Sequence, residues 1–415
     1  MSAKRRALHA RQIYPLKITV PKGMYRIKSK YVPMYAKRMG QLPPYLFARI
    51  DEMKAEKIRS GVDVIDLGVG DPDLPTPRHI VESLCEAAQH VENHHYPSYA
   101  GMPQYRSAVA DWYKSRFGVS LDPGKEVLAL MGSKDGITHI GEAFVNPGDY
   151  VLAPSPGYPG YYTGTLFSEG RVHEMPLSRE NNFIPILSDI PKDVLKTTKL
   201  MFINYPNNPT AAVASTDFYR EVVDFAGENN IIVVSDNPYS EIAYDGYRAP
   251  SFLEVKGAMD VGVEMHSLSK TYNMTGWRIG MAVGNADILS GLGRVKTNVD
   301  SGVFNAVQHA AITALSGPQD CVREACAVYQ ERRDILVKGL NELGYNVPAP
   351  KATFYVWMPV EDCMKFSAMM LDKAGIVVTP GVGFGHSGEG YVRFALTRPK
   401  ERIIEALGRM RGLVA

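Results

Sequence analysis

The sequence predicts an α/β protein: a mostly parallel sheet covered by helices, followed by a smaller α+β domain. Three observations carry this expectation. Short apolar runs, β-branched or aliphatic and with little period-2 polarity, recur through the middle of the chain, as strands buried on both faces do. Amphipathic stretches opened by Ser, Thr or Asp separate several of them, which is the βαβ pattern. After about residue 318 the rhythm changes to a long helix, a strand, a second helix, two further strands and a closing helix.

In chain order, the expected strands are 127–131, 150–153, 200–204, 231–236, 263–267 and 279–283. The segment 215–229 reads as one of the crossover helices between them, with Ser215 at its start. Beyond them come an amphipathic helix at 325–343, a strand at 353–358 and a helix at about 366–374. Strands at 376–379 and 391–396 and a final helix from Pro399 complete the second unit. The expected division is a basic extension over 1–41, an arm and part of the small domain over 42–75, a large domain over 76–317 and a small domain over 318–415. In an open parallel sheet, sites belong at the carboxyl ends of the strands.

Composition narrows the function classes. The 415 residues are 45% hydrophobic and 22% charged, ordinary for a soluble globular chain able to bury a core without staples. The net charge is only +2, yet residues 1–38 hold eleven Lys and Arg and no Asp or Glu. The remainder has 35 basic against 44 acidic residues, so no nucleic-acid partner is expected of it. Four cysteines, irregularly spaced, fit neither a disulfide framework nor a zinc site; reduced thiols in a cytoplasmic protein are expected. The pair His94-His95 lacks accompanying carboxylate or Cys at ligand spacing, and no metal is expected. No apolar run approaches the roughly 18 residues that would suggest a membrane span.

The chemistry-bearing segments fall at expected strand ends. Ser267-Leu-Ser269-Lys270 begins the first, which runs on to Gly276-Trp-Arg278. A lysine out of water keeps a depressed pKa and acts as a nucleophile toward carbonyls. Two hydroxyls and a guanidinium fork suit a phosphate. The ordinary reading, a surface lysine in a loop, would win if this segment stood alone. Asn207-Asn208-Pro209-Thr210 and Asp236-Asn-Pro-Tyr239 follow two neighbouring strands. Read singly, they are a turn and a helix cap. Gly132-Ser133-Lys134-Asp135-Gly136 opens a helix, whose N-terminal N–H groups attract phosphate. Together these segments offer a lysine, a partner for a protonated ring nitrogen, donors for a phenolic oxygen and a phosphate cup. Gly381-Val-Gly383-Phe-Gly385 imitates a dinucleotide loop, but the run after it reads as a strand, so it is expected to be a substrate-side loop.

In order and approximate spacing, these motifs resemble the pyridoxal-phosphate aminotransferases of fold type I, class I/II, from about Leu42 to the C-terminus. The resemblance implies a three-layer α/β/α large domain that binds pyridoxal 5'-phosphate. It implies Lys270 as Schiff-base lysine and proton carrier, Asp236 on the ring nitrogen, and Tyr239 and Asn208 on the ring oxygen. Ser133, Lys134, Ser267, Ser269 and Arg278 would form the phosphate cup. Tyr158 would stack on the ring. Tyr96 would reach the phosphate of a neighbouring subunit, making a homodimer with shared active sites. Arg393 would grip the substrate α-carboxylate, with the Gly70 backbone beside it; a side chain at Gly70 would obstruct the approach. For Tyr158 and Tyr96 the ordinary alternative is core packing. Two departures are expected to be tolerated: Ala211 and Ala352 stand where the family usually has Gly.

Three segments, at 42–47, 67–77 and 300–308, resemble the LL-diaminopimelate aminotransferases of lysine biosynthesis. This resemblance adds Tyr45, Asn305 and Lys134 as substrate contacts; packing of the N-terminal arm and helix capping are the ordinary readings of the first two. The implied reaction is ping-pong transfer between an amino acid and a 2-oxo acid, LL-diaminopimelate with 2-oxoglutarate. Aspartate, alanine or aromatic aminotransferases are the alternatives. A carbon–sulfur lyase on the same cofactor is the competing class.

Overall fold

A computed structural model of the protein describes residues 34–42 and 46–414. Most of the basic extension, and Tyr45, lie outside the described residues. The sheets and the site belong to the compact unit Gln41–Ala415.

Among the described residues, twelve strands follow in chain order. They are β1 (Ile65–Asp66), β2 (Val127–Leu130), β3 (Tyr150–Ser155), β4 (Arg171–Pro176), β5 (Thr198–Ile203), β6 (Ile232–Asp236), β7 (Gly262–Ser267), β8 (Gly280–Gly284), β9 (Tyr355–Pro359), β10 (Ile376–Val377), β11 (Thr379–Pro380) and β12 (Tyr391–Ala395). Seven form one sheet in the order β2-β8-β7-β6-β5-β3-β4, with β8 antiparallel to both neighbours and every other pairing parallel. This is the mostly parallel sheet of a three-layer α/β/α fold.

Alternation along the strands places the core. Met201 and Val233 join one apolar cluster with Tyr105, Trp112 and Tyr113 from the helix Pro103–Phe117. Phe202 and Val234, one residue on, join a second cluster with Ile137 and Ile140 from the helix Ser133–Phe144. Successive strand side chains point to opposite faces, so a strand apolar throughout needs a helix layer on each side. The helix Thr216–Asn229 starts as its sequence says it should: Ser215 Oγ accepts the Phe218 N–H, and Asn230 ends it in the left-handed region.

A third cluster gathers β9 and β12 with the long helix Asp320–Glu342 and the closing helix Lys400–Val414. There β11, β12 and β9 form an antiparallel sheet, while β1 pairs in parallel with β10. The expected strand 376–379 is therefore two short strands with different partners. The expected helix 366–374 is an α-helix, Cys363–Met369, that continues as a π turn, Met370–Ala374. Among the described residues no helix is long and apolar enough to cross a membrane.

Candidate active site

Strand ends β5, β6 and β7 and the turn before β8 bring the motif residues toward one another. Ser267 closes β7, and its Oγ accepts the Ser269 N–H at 3.2 Å, turning the chain into the short helix that carries Lys270. Lys270 Nζ donates to the Gly70 carbonyl at 2.9 Å and lies 5.6 Å from the centre of the Phe354 ring. Burial lowers its pKa to about 8; Arg393 and Arg278 add to the lowering and Asp71 opposes it.

Asp236 ends β6 and is 4% exposed. Its Oδ2 accepts from the Tyr161 hydroxyl at 2.7 Å, while its Oδ1 is buried without a partner. Burial raises its pKa to about 7, with the Tyr161 bond acting against that rise. Asn204 braces the next turn: its Nδ2 donates to the Asp236 carbonyl at 2.6 Å, and its Oδ1 accepts the Asn208 N–H at 2.8 Å. Tyr239 is buried, and its hydroxyl lies 3.1 Å from that of Tyr355.

Arg393, on β12, is buried too. Its Nη1 donates to Asn208 Oδ1 and its Nη2 to the Gly68 carbonyl, each at 2.7 Å. Its guanidinium lies between the rings of Tyr355 at 4.1 Å and Phe384 at 4.6 Å, which places the 381–385 loop at this group. Its Nε has no partner, and burial pulls its pKa below the ordinary value.

On the other side, Arg278 donates to the Met131 carbonyl at 3.0 Å and packs so closely on Gly132 that a Cβ there would collide with it. Gly132 precedes a helix that begins at Ser133 with no side-chain cap. Ser269 Oγ is buried without a partner. A guanidinium, an uncapped helix start and an orphan hydroxyl fit a phosphate; an orphan carboxylate oxygen fits a ring N–H. The residues present therefore suit pyridoxal phosphate.

Other expected residues stand apart. Tyr96 is 89% exposed, which excludes core packing for it. Tyr158 meets Tyr161 edge-on at 5.7 Å. Lys134 is exposed. Asn305 is the first residue of the helix Asn305–Ser316, not its cap, and accepts a long bond from Gln308 at 3.5 Å. The close approach at Gly70 comes from the protein itself: a Cβ there would collide with the Tyr355 hydroxyl. Ala211 keeps the left-handed backbone, φ 59°, that glycine favours.

Several participants carried no sequence signal. Tyr161 supports Asp236, and Tyr355 touches Tyr239, Arg393 and the Gly70 loop. Arg332 makes a two-pronged ion pair with Asp73, at 2.7 and 2.9 Å. Lys296 is buried between Asp135, at the start of the helix after Gly132, and Asp300 at 2.8 Å.

Residues 62–410 match the family aminotransferase class I and II. An LL-diaminopimelate aminotransferase of Desulforudis audaxviator is 58% identical over 91% of this chain and 97% of its own. One from Syntrophobacter fumaroxidans is 58% identical over 91% and 98%. A substrate-bound BacF structure from Bacillus subtilis superposes with a TM-score of 0.89 at 38% identity, covering 92% of this chain and 98% of that one.

Proposed function

Because the chain belongs to the class I and II aminotransferases, pyridoxal-phosphate enzymes that move an amino group from an amino acid to a 2-oxo acid, we propose that its substrates are LL-diaminopimelate and 2-oxoglutarate. The names of relatives at 58% identity support that choice. The observation that carries the site reading is Lys270, part-buried just past the end of β7, with its pKa lowered first by burial and then by Arg393 and Arg278.

When bound, pyridoxal phosphate supplies the aldehyde that relays the amino group and a ring that takes up electron density from the substrate Cα. In this reading the chain does the rest. Arg278, Ser267, Ser269 and the N–H groups of Ser133 and Lys134 hold the phosphate. Asp236 Oδ1 accepts the ring N–H, with Tyr161 fixing the carboxylate. Tyr239 and Asn208 donate to the ring oxygen, and Tyr158 covers a ring face. The Arg393 fork takes the α-carboxylate beside the Gly70 loop. Lys270 Nζ removes the proton from the substrate Cα and returns it on the far side of the transfer. A pKa lowered to about 8 makes the free base, the form that can accept this proton, more accessible near neutral pH. Tyr45, Asn305 and Lys134 are assigned to the distal end of the substrate.

The reading includes a cytoplasmic homodimer with shared sites. Tyr96 and Tyr99 are exposed on one loop, and Phe304 is exposed on the adjoining 300–304 loop, where Gly302 packs on Pro97 and Ser98. Aromatic side chains left exposed side by side support the interface reading. It also keeps the division into a large domain over 76–317 and a small one over 318–415, each with its own sheet.

The test is a donor–acceptor panel. LL-diaminopimelate with 2-oxoglutarate is expected to turn over fastest, giving glutamate. A faster reaction with aspartate, alanine or an aromatic donor would reject this substrate. Lys270→Ala is expected to abolish transfer, and retained turnover would sink the site assignment.

A further inference from the structure

We propose that Tyr355 is a positioning residue for the cofactor: its hydroxyl donates to Tyr239 and so strengthens the hydrogen bond that Tyr239 gives to the cofactor's phenolic oxygen. This rests on the placement of Tyr239 at that oxygen. A phenol has one proton to give. If Tyr239 gives its proton to the cofactor, the 3.1 Å contact between the two hydroxyls is a hydrogen bond only with Tyr355 as donor. A donor whose own oxygen accepts a bond becomes a better donor, because each bond in the chain polarises the next.

The fold holds Tyr355 to this task. Thr353, two residues before it, has φ 65°, a costly value for a β-branched residue. Three hydrogen bonds keep it there. Its N–H donates to the Ile242 carbonyl at 2.9 Å, its carbonyl accepts from the Tyr244 hydroxyl at 2.6 Å, and its Oγ1 accepts the Tyr355 N–H at 3.1 Å. The Tyr355 ring is then fixed by the Arg393 guanidinium and by the edges of Phe354 and Tyr239. Gly70 leaves room for the hydroxyl where any side chain would collide.

The charged groups around the pair are otherwise engaged. Arg393, from β12, donates to Asn208 and Gly68. Asp236, from β6, accepts from Tyr161. Lys270, beyond the Phe354 ring, donates to Gly70 with Asp71 nearby. Burial holds Tyr239 well above the ordinary phenol range, so it keeps its proton to donate.

The readout is the visible absorbance of the holoenzyme against pH, which follows the proton held between Lys270 and the cofactor. A donor on the phenolic oxygen favours the form that has lost this proton, since that form carries more negative charge there. Tyr239→Phe is therefore expected to raise the midpoint. Tyr355→Phe should raise it by less, a few tenths of a pH unit, because it removes only the polarising share of that bond. The double variant should match Tyr239→Phe alone, and 3-fluorotyrosine at position 355, a more acidic donor, should lower the midpoint. An unmoved midpoint in Tyr355→Phe, or a further rise in the double variant, would overturn the relay while leaving Tyr239 at the cofactor. If Tyr239→Phe itself leaves the midpoint unmoved, its placement falls and the relay falls with it.

Discussion

Burial raises the Asp236 carboxyl from an ordinary 3.8 to about 7. The folded, cofactor-free protein thus binds a proton more tightly than the unfolded chain does. Stability from this group is present below pH 4 and lost as pH rises toward 7, by about 4 kcal/mol in total. Asp236→Asn removes the cost. In urea, the cofactor-free variant is expected to outlast the parent at pH 8 and to lose that advantage near pH 4, while turnover falls by orders of magnitude. A pH-independent difference would refute this account. The same residue shows what was legible at this scale. Arg393 was named by the family resemblance, and Asp236, Lys270 and Asn208 stand in short motifs that together suggest one chemistry. Tyr161 and Tyr355 do not, since their partners lie 75 and 116 positions away and a lone tyrosine reads as core.

Two elements form the proposed carboxylate grip, and Arg332 joins them. From the middle of the helix Asp320–Glu342 it clamps Asp73 on the Gly70 loop and donates to the Leu396 carbonyl at 3.0 Å, just beyond β12. Thr397 Oγ1 adds a bond to the Val69 carbonyl at 2.8 Å. Lysine cannot reproduce a two-pronged fork. Arg332→Lys is therefore expected to raise KM for the amino donor several-fold, with kcat and the holoenzyme spectrum little changed; steady-state kinetics check this, and an unchanged KM would refute it. Strands were legible where they are buried on both faces. The sheet-edge strand β4, Arg171–Pro176, is largely polar and half-exposed, so it lacks the apolar signature. A two-residue strand such as β1 exists only because distant chain pairs with it.

The proposed shared site is a property of two chains. If Tyr96 serves the partner's phosphate cup, Lys270→Ala and Tyr96→Ala subunits complement each other. Mixed and re-dimerised, they form hybrids with one site that has both native residues. Activity above the sum of the separate variants is expected, and strict additivity would place each site within one chain.

The order of amino acids was enough to specify the fold class and the family and to name the candidate site residues. Hydrophobic period and strand-end motifs are local, and a few neighbouring residues suffice to state them. The groups that hold those residues in place emerged only with the folded chain. The unpartnered Oδ1 of Asp236, the Tyr355 hydroxyl over Gly70 and the Arg332 clamp each depend on packing between segments far apart in the sequence. No local pattern encodes such contacts, because burial and hydrogen-bond partners exist only once the layers have closed.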